Sequence, residues 1–390
     1  MVVRTTGLRS AGRAVLVCGV LAVSLASCSS TGGAPSPSGT PSSPATTTTV
    51  SPTSAPEVVA RAVVVSGTPA NPHVSWLTLT RHVDADARVS GLAGRGGVID
   101  GTAYVFEQTA EGTIAVALDA AGTVSRLSVV PVNTSTLATR SSPPMLAWAV
   151  DASASSRVEI SPPTGRHGTV LLTESLSINS DHAYVVARWS SVGTRLFVGQ
   201  DPTGLGGYPV YFGTGVSSLS AVDVASRHVT SLLPYPPHNA MLCYDDMTTD
   251  DRTVVDTCTA RTITVRTLAT GAVQLIRLPS NTSAYRYVRA ARFSPDGTRV
   301  AFALNVGDPD HERGAVAVSG GLGGTSHLLV TLPNDGVVVD GWLDADTLLI
   351  ETDQETRCTG SCGTRTWTLD IGTGRLTLLT EGRVVALDVR

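Results

Sequence analysis

Lysine is missing from this 390-residue chain: all 28 basic side chains are arginine, set against 32 acidic ones. We read that bias as codon composition and not as a functional signal. Aromatic residues make up only 5% and charged residues 15%. No run of 18 apolar residues occurs, which leaves no candidate for a membrane-spanning helix. No amphipathic stretch is long enough to predict a helix of any other kind. No His-Glu-x-x-His zinc motif and no Gly-x-Ser-x-Gly nucleophile elbow is present, and the eight histidines are scattered. The two glycine-rich stretches, Gly204–Gly207 and Gly320–Gly324, precede neither a helix pattern nor a lysine. They read as loops between strands and not as phosphate cradles.

The N-terminus carries three arginines, Arg4, Arg9 and Arg13, followed by the apolar run Ala14–Ala26. Such a run spans roughly 20 Å as a helix, short of a bilayer core of about 30 Å, so it predicts a signal sequence. The run ends in Leu25-Ala26-Ser27-Cys28, which resembles the bacterial lipobox. That resemblance implies cleavage after residue 27, lipid on the Cys28 thiol and anchoring at the extracytoplasmic face of the cell membrane. The alternative is an ordinary signal peptide with a chance cysteine. No Arg-Arg pair occurs, which favours the general secretory route. Two acyl chains hold a protein stably at a membrane. Beyond residue 27, 25 arginines face 32 acidic groups, a net of −7, which argues against nucleic acid as a partner.

Residues 28–57 are almost wholly Ser, Thr, Pro, Gly and Ala and cannot offset the entropy of ordering. They predict a tether. From residue 58 to 390 the texture changes to short Val, Leu, Ile, Thr and Tyr runs bounded by Gly, Asp, Asn and Pro. This is the pattern of an all-β domain.

Internal repeats specify the architecture. Phe293-Ser-Pro-Asp-Gly-Thr-Arg-Val-Ala-Phe302 encodes a tight turn between two strands. Pro295 sets φ, Asp296 bonds its own following backbone, and Gly297 accepts positive φ. Weaker copies begin at Trp189 and Trp342, and Asp100–Phe106 matches the second half. Trp148 and Met241 extend the series of leading residues, so units are expected to start near 97, 148, 189, 241, 293 and 342. A second repeat follows each by about thirty residues: Leu118–Val124, Val222–Arg227, Leu268–Val273 and Leu369–Leu376. Four strands per ~50 residues is the size of a propeller blade. The Ser-Pro-Asp-Gly turn together with the Asp-x-x-Gly hairpin resembles TolB-like and WD-type β-propellers over residues 58–390. The expectation is seven four-stranded blades, with six as runner-up. The strands in 58–93 and the terminal Val384–Val389 are expected to share the closing blade.

Four cysteines follow the anchor: Cys243, Cys258, Cys358 and Cys362. In an exported protein they predict disulfides, most economically Cys243–Cys258 and Cys358–Cys362, although three pairings are open. A four-thiolate zinc site and a redox pair are the alternatives. The acidic stretch Asp245–Asp251 concentrates oxygen ligands of the kind that hold Ca²⁺, without the spacing of an EF-hand loop. Asp308–Glu312 is similar. Trp148, Trp189 and Trp342 read as blade-core anchors before they read as sugar platforms.

These features predict a lipid-tethered, monomeric binding scaffold at the cell envelope. It needs no cofactor and has an envelope protein or a glycan as partner. The competing expectation is a propeller enzyme of lactonase, glycosidase or lyase type, with carboxylates or a metal at the channel mouth.

Overall fold

The computed structural model describes residues 61–388, except 69–70, 79–82, 89–95, 110–111, 131–133, 153–154, 165–167, 176–181, 203–215, 235–243, 260–261, 308–311 and 354–363. The described residues form strands joined by turns, with no helix among them. The strands are numbered in chain order. The three that open the chain are β1 (Arg61–Thr68), β2 (Asn71–Thr78) and β3 (Val83–Arg88). Blade 1 then holds β4 (Gly97–Ile99), β5 (Thr102–Thr109), β6 (Gly112–Leu118) and β7 (Val124–Val130). Blade 2 holds β8 (Thr134–Arg140), β9 (Met145–Ala152), β10 (Ser155–Ser161) and β11 (Thr169–Ser175). Blade 3 holds β12 (His182–Trp189), β13 (Arg195–Pro202), β14 (Ser218–Asp223) and β15 (Val229–Leu233). Blade 4 holds β16 (Tyr244–Met247), β17 (Thr253–Thr259), β18 (Thr262–Thr267) and β19 (Val273–Ile276). Blade 5 holds β20 (Tyr287–Phe293), β21 (Val300–Asn305), β22 (Gly314–Ser319) and β23 (Ser326–Leu332). Blade 6 holds β24 (Gly336–Trp342), β25 (Thr347–Asp353), β26 (Arg365–Asp370) and β27 (Leu376–Thr380). Blade 7 is closed by β28 (Gly382–Asp388), giving the strand order β28-β1-β2-β3.

The fold is therefore a seven-bladed β-propeller of four-stranded antiparallel sheets. The shared closing blade is present, with Arg61 opposite Asp388 and Ser66 opposite Gly382. Burial explains the strand sequences. In blade 5 the middle strands, Val-Ala-Phe-Ala-Leu-Asn and Gly-Ala-Val-Ala-Val-Ser, are buried along their whole length, because a neighbouring blade covers each face. The outermost strand, β23, is largely open to solvent. Among the described residues, seven apolar clusters form, one in each seam between adjacent blades. No blade buries its own faces, so the ring is the smallest unit with a complete core.

Tryptophans fasten three of these seams. Trp189 Nε1 donates to Ala138 O of blade 2 at 3.3 Å, and Trp342 Nε1 to Arg292 O of blade 5 at 3.1 Å. Trp76 of blade 7 donates to Leu118 O of blade 1 at 3.1 Å. Arg140 lies 4.4 Å above the Trp189 ring and Arg299 5.2 Å above that of Trp342, so the same contact recurs in two seams.

Two expectations need correction. The repeated aromatic ends a blade's first strand and does not open the blade, so the sheets begin at 97, 134, 182, 244, 287 and 336. Trp148 lies on the second strand of blade 2, a different position from Trp189 and Trp342; Arg140 ends the first strand there. In blade 4 the corresponding residue is the buried Met247, while Met241 lies outside the described residues.

The Ser-Pro-Asp-Gly turn behaves as its residues require. Gly297 has φ +70°, and Asp296 accepts from the Ser294 hydroxyl at 2.6 Å and from Thr298 N–H at 3.0 Å. These bonds, the Ser294 hydroxyl first, hold the Asp296 carboxyl at a pKa of about 2, below its unperturbed 3.8. A depressed folded pKa contributes stability that is present above pH 3.8 and lost as pH falls toward 2. Asp296→Ala is expected to unfold at a lower temperature than wild type at pH 7. That difference should vanish on acidification through this window, as thermal melts at graded pH would show.

Candidate binding face

Antiparallel blades place their connections alternately at the two ends of the strands. At one end the chain passes from first to second strand and from third to fourth. The connections there are short, the longest being the seven residues 162–168. At the other end lie the second-to-third and blade-to-blade connections. Here residues 203–217, 354–364, 234–243 and 277–286 span 15, 11, 10 and 10 positions. All four belong to blades 3–6. Length is thus confined to one end and one side of the ring, where loops on a rigid scaffold serve for binding. The chain enters β1 at Arg61, at the short-turn end.

The first strands are edge strands of their sheets, and most of them share an irregularity. Register shifts interrupt β8, β12, β16, β20, β24 and the β28–β1 pairing. A bulge turns main-chain N–H groups out of the ladder. Buried donors need partners, and side chains of the preceding blade supply them. Val186 N–H donates to Thr136 Oγ1 (2.9 Å) and Tyr184 N–H to Ser156 Oγ (2.8 Å). Ala291 N–H donates to Asp245 Oδ2 (3.2 Å), Phe293 N–H to Asp246 Oδ2 (2.8 Å) and Val337 N–H to Asn305 Oδ1 (2.9 Å). Val384 N–H donates to Glu351 Oε1 (2.7 Å).

The acidic stretch Asp245–Asp251 is consequently dispersed and not gathered around a common centre. Asp245 is buried and also accepts from the Thr257 hydroxyl at 2.8 Å. Asp246 holds Phe293. Asp250 accepts from the Thr248 hydroxyl within its own turn. Asp251 accepts from Arg188 Nη2 at 2.9 Å and from Ser191 N–H at 2.6 Å, tying blade 4 to blade 3. Arg292 spans blades 4, 5 and 6, donating to Asp245 O and Asp340 O. Among the described residues no three His, Cys, Asp or Glu side chains are placed to hold a metal ion. Asp308–Asp310 and His311 lie outside the described residues; Glu312 is buried and accepts from Gly307 N–H.

Cys28, Cys243, Cys358 and Cys362 also lie outside the described residues. Cys258 falls on β17, and its side chain is not described. The Gly320–Gly324 stretch forms the β22–β23 turn, at the short-turn end, whereas Gly204–Gly207 falls outside the described residues.

One feature of this face escaped the reading of the sequence. Tyr184, Tyr244 and Tyr287 each sit near the start of a first strand, in blades 3, 4 and 5, and each is half-buried. All three are at the long-connection end. The Tyr244 hydroxyl donates to Pro234 O at 3.2 Å, and Arg289 lies 6.0 Å from the Tyr287 ring centre. Beside Tyr184, Gln200 donates to Glu174 Oε2 at 3.0 Å and accepts from Ser218 Oγ at 3.3 Å. The signal was available: seven of the eight tyrosines fall between positions 184 and 287.

No protein-family model matches the chain, and no curated protein matches it. Solved structures do. A candidate 6-phosphogluconolactonase from Bacteroides fragilis aligns at TM-score 0.52 and 14% identity, over 87% of this chain and all of that one. A protein from Lactobacillus plantarum aligns at TM-score 0.52 and 14% identity, over 86% and 99%. TolB from Acinetobacter baumannii aligns at TM-score 0.43 and 12% identity, over 69% of this chain and 65% of its own length. These likenesses are to the fold.

Burial pushes the Asp245 carboxyl above the usual carboxylate range, against the opposing pull of Arg292. Asp245→Ala leaves the Thr257 hydroxyl and the Ala291 N–H without their acceptor and should cost about 2–5 kcal/mol. Asp245→Asn keeps an acceptor and should cost less. A carboxyl harder to ionise in the folded state stabilises fully below its unfolded value of 3.8 and progressively less as pH rises. Wild type is therefore expected to lose stability relative to Asp245→Asn from about pH 4 upward, as denaturant melts at graded pH would report.

Proposed function

We propose that this chain is an extracytoplasmic lipoprotein, anchored through Cys28, whose propeller acts as a non-enzymatic binding scaffold at the cell envelope. The observation that carries this reading is the division of labour between the two regions of the ring. The carboxylates of Asp245, Asp246 and Glu351 on or beside the first strands hold main-chain N–H groups of the next blade. They serve the ring, while length and tyrosine gather on the long-connection face. Entry of the chain at the opposite end supports it too. Arg61 lies at the short-turn end, away from the long-connection face. The partner is an envelope protein or glycan, bound by one copy of the chain.

A second reading has the likeness to the candidate 6-phosphogluconolactonase behind it: a propeller enzyme acting on a lactone. At 14% identity that likeness extends to the fold and not to residues. One set of experiments separates the two. Full-length protein should fractionate with membranes and recover an envelope component on affinity capture. Cys28→Ser should release it from the membrane, and replacing residues 203–215 with a two-residue linker, which keeps the buried Val216 and Ser217, should abolish capture without lowering the unfolding temperature. Turnover of a sugar lactone by the purified protein, with capture unchanged by that replacement, would favour the enzyme.

A further inference from the structure

Four Asp-Gly dipeptides occur in the chain, at 100–101, 296–297, 335–336 and 340–341. Such a pair carries a chemistry of its own. Glycine has no side chain to shield its main-chain nitrogen, which can therefore attack the carboxyl carbon of the aspartate before it. The fold treats the four pairs unequally. The Asp296 carboxylate is held by the Ser294 hydroxyl at 2.6 Å, by Thr298 N–H at 3.0 Å and by the Thr298 hydroxyl at 2.9 Å. Gly297 N–H is itself engaged, donating to Ser294 O at 2.8 Å. Gly336 and Gly341 are buried in β24 and paired with β25. Asp335 and Asp340, which precede them, each have one carboxylate oxygen closed off from solvent. In those three pairs the nitrogen cannot reach the carboxyl carbon until the turn or the strand comes apart.

Asp100–Gly101 stands apart. These two residues alone join β4 to β5, between the paired Ile99 and Thr102. Both have positive φ, +48° and +77°, the mark of a type I′ hairpin turn. Glycine adopts that conformation freely and aspartate only sparsely. Asp100 is exposed. Among the described residues its carboxylate accepts no hydrogen bond, and Gly101 N–H donates none. Rotation within the turn is enough to bring the two reacting atoms together, and water has open access to them.

We infer that Asp100 is a site of spontaneous modification, at which the folded protein converts aspartate to isoaspartate through a cyclic imide. Gly101 N bonds to the Asp100 carboxyl carbon, and the carboxyl oxygen leaves as water with the amide proton. Water then reopens the ring. Addition at the side-chain carbonyl restores aspartate. Addition at the main-chain carbonyl breaks the original peptide bond and leaves the chain running through the Asp100 side chain. Nothing is oxidised or reduced, and water is the only co-reactant. The product has one more carbon in the main chain of a two-residue turn, so Ile99 and Thr102 lose their register. β4 has only three pairs to lose. Ile99 belongs to the apolar cluster between blades 1 and 2, and Val98 O accepts from the Thr139 hydroxyl of blade 2 at 2.9 Å. The modification therefore loosens that seam. This inference stands apart from the binding reading.

The test incubates full-length protein in detergent for weeks at physiological temperature, at about pH 5 and about pH 7. Trypsin then releases the peptide 96–126, and electron-transfer fragmentation distinguishes isoaspartate from aspartate within it. Isoaspartate should accumulate at position 100, faster at the lower pH because a protonated carboxyl loses water more readily. Hydroxylamine should trap the imide there. Positions 296, 335 and 340 should convert at least roughly tenfold more slowly, the scale of a modest added barrier. In guanidinium all four should convert at similar rates, since the fold no longer protects three of them. Asp100→Glu, whose imide closes less readily, should stay unmodified. Asp100→Asn, which loses ammonia in place of water, should form the imide faster at neutral pH. Unfolding temperatures show that both variants are folded. An Asp100 that stays intact in the folded protein while converting in guanidinium would overturn the inference, as would conversion no faster than at the other three positions.

Discussion

The hydrogen bonds between β28 and β1 hold the rest of the structure together. Six blades are continuous in sequence, but the seventh exists only when residues 382–388 pair with residues 61–66. Closure matters because every apolar face in the ring is buried by a neighbour. If blade 7 opened, the clusters on both sides of it would meet water. Those clusters contain Val63, Trp76 and Val385 on one side and Ala62, Leu343 and Leu349 on the other. The pairing also removes the two free sheet edges that a linear array would expose.

The second constraint follows from crowding at the axis. First strands are bulged in six blades, and in blades 3, 5, 6 and 7 a main-chain donor of the first strand faces a side chain of the preceding blade. Thr136, Asp245, Asn305 and Glu351 meet this need in four of the seven seams. Polar residues in the interior of this propeller are thus part of its backbone hydrogen bonding. The charge of Asp245 is the costly member of the set, since burial disfavours ionisation more than its arginine neighbours favour it. A ring joined by directional bonds as well as apolar contact resists sliding of one blade past another.

Much of this was legible in the sequence because propeller turns are local. Asp296 and Gly297 form their turn from neighbouring residues alone, and Asp119, Asp223 and Asp370 repeat such self-bonding at the other hairpins. Closure by the two termini was legible because unpaired strands remained at both ends. Blade boundaries were harder. The aromatic landmark marks where a first strand stops, and in blade 2 an arginine takes that place, so spacing from Trp148 misplaces the unit. The partners of the acidic stretch were not legible, for a different reason. Alternation along a bulged strand and a turn sends Asp245, Asp246, Asp250 and Asp251 to separate partners, and sequence proximity says nothing of that. Tyr184 and Tyr287 share one end of the ring although they lie 103 positions apart, a relation that only the ring makes visible.

The binding face follows from the same geometry, because the closed ring sets the first strands side by side and aligns their starts. If closure is the central interaction, β28 and β1 must be as stable as the core. Amide hydrogen exchange on the full chain tests this most directly. The account predicts that the amides of 62–65 and 384–387 that pair β1 with β28 open only with global unfolding, at the same free energy as those of β21 and β22. Exchange of those two segments at a markedly lower free energy, with blade 5 still protected, would contradict it.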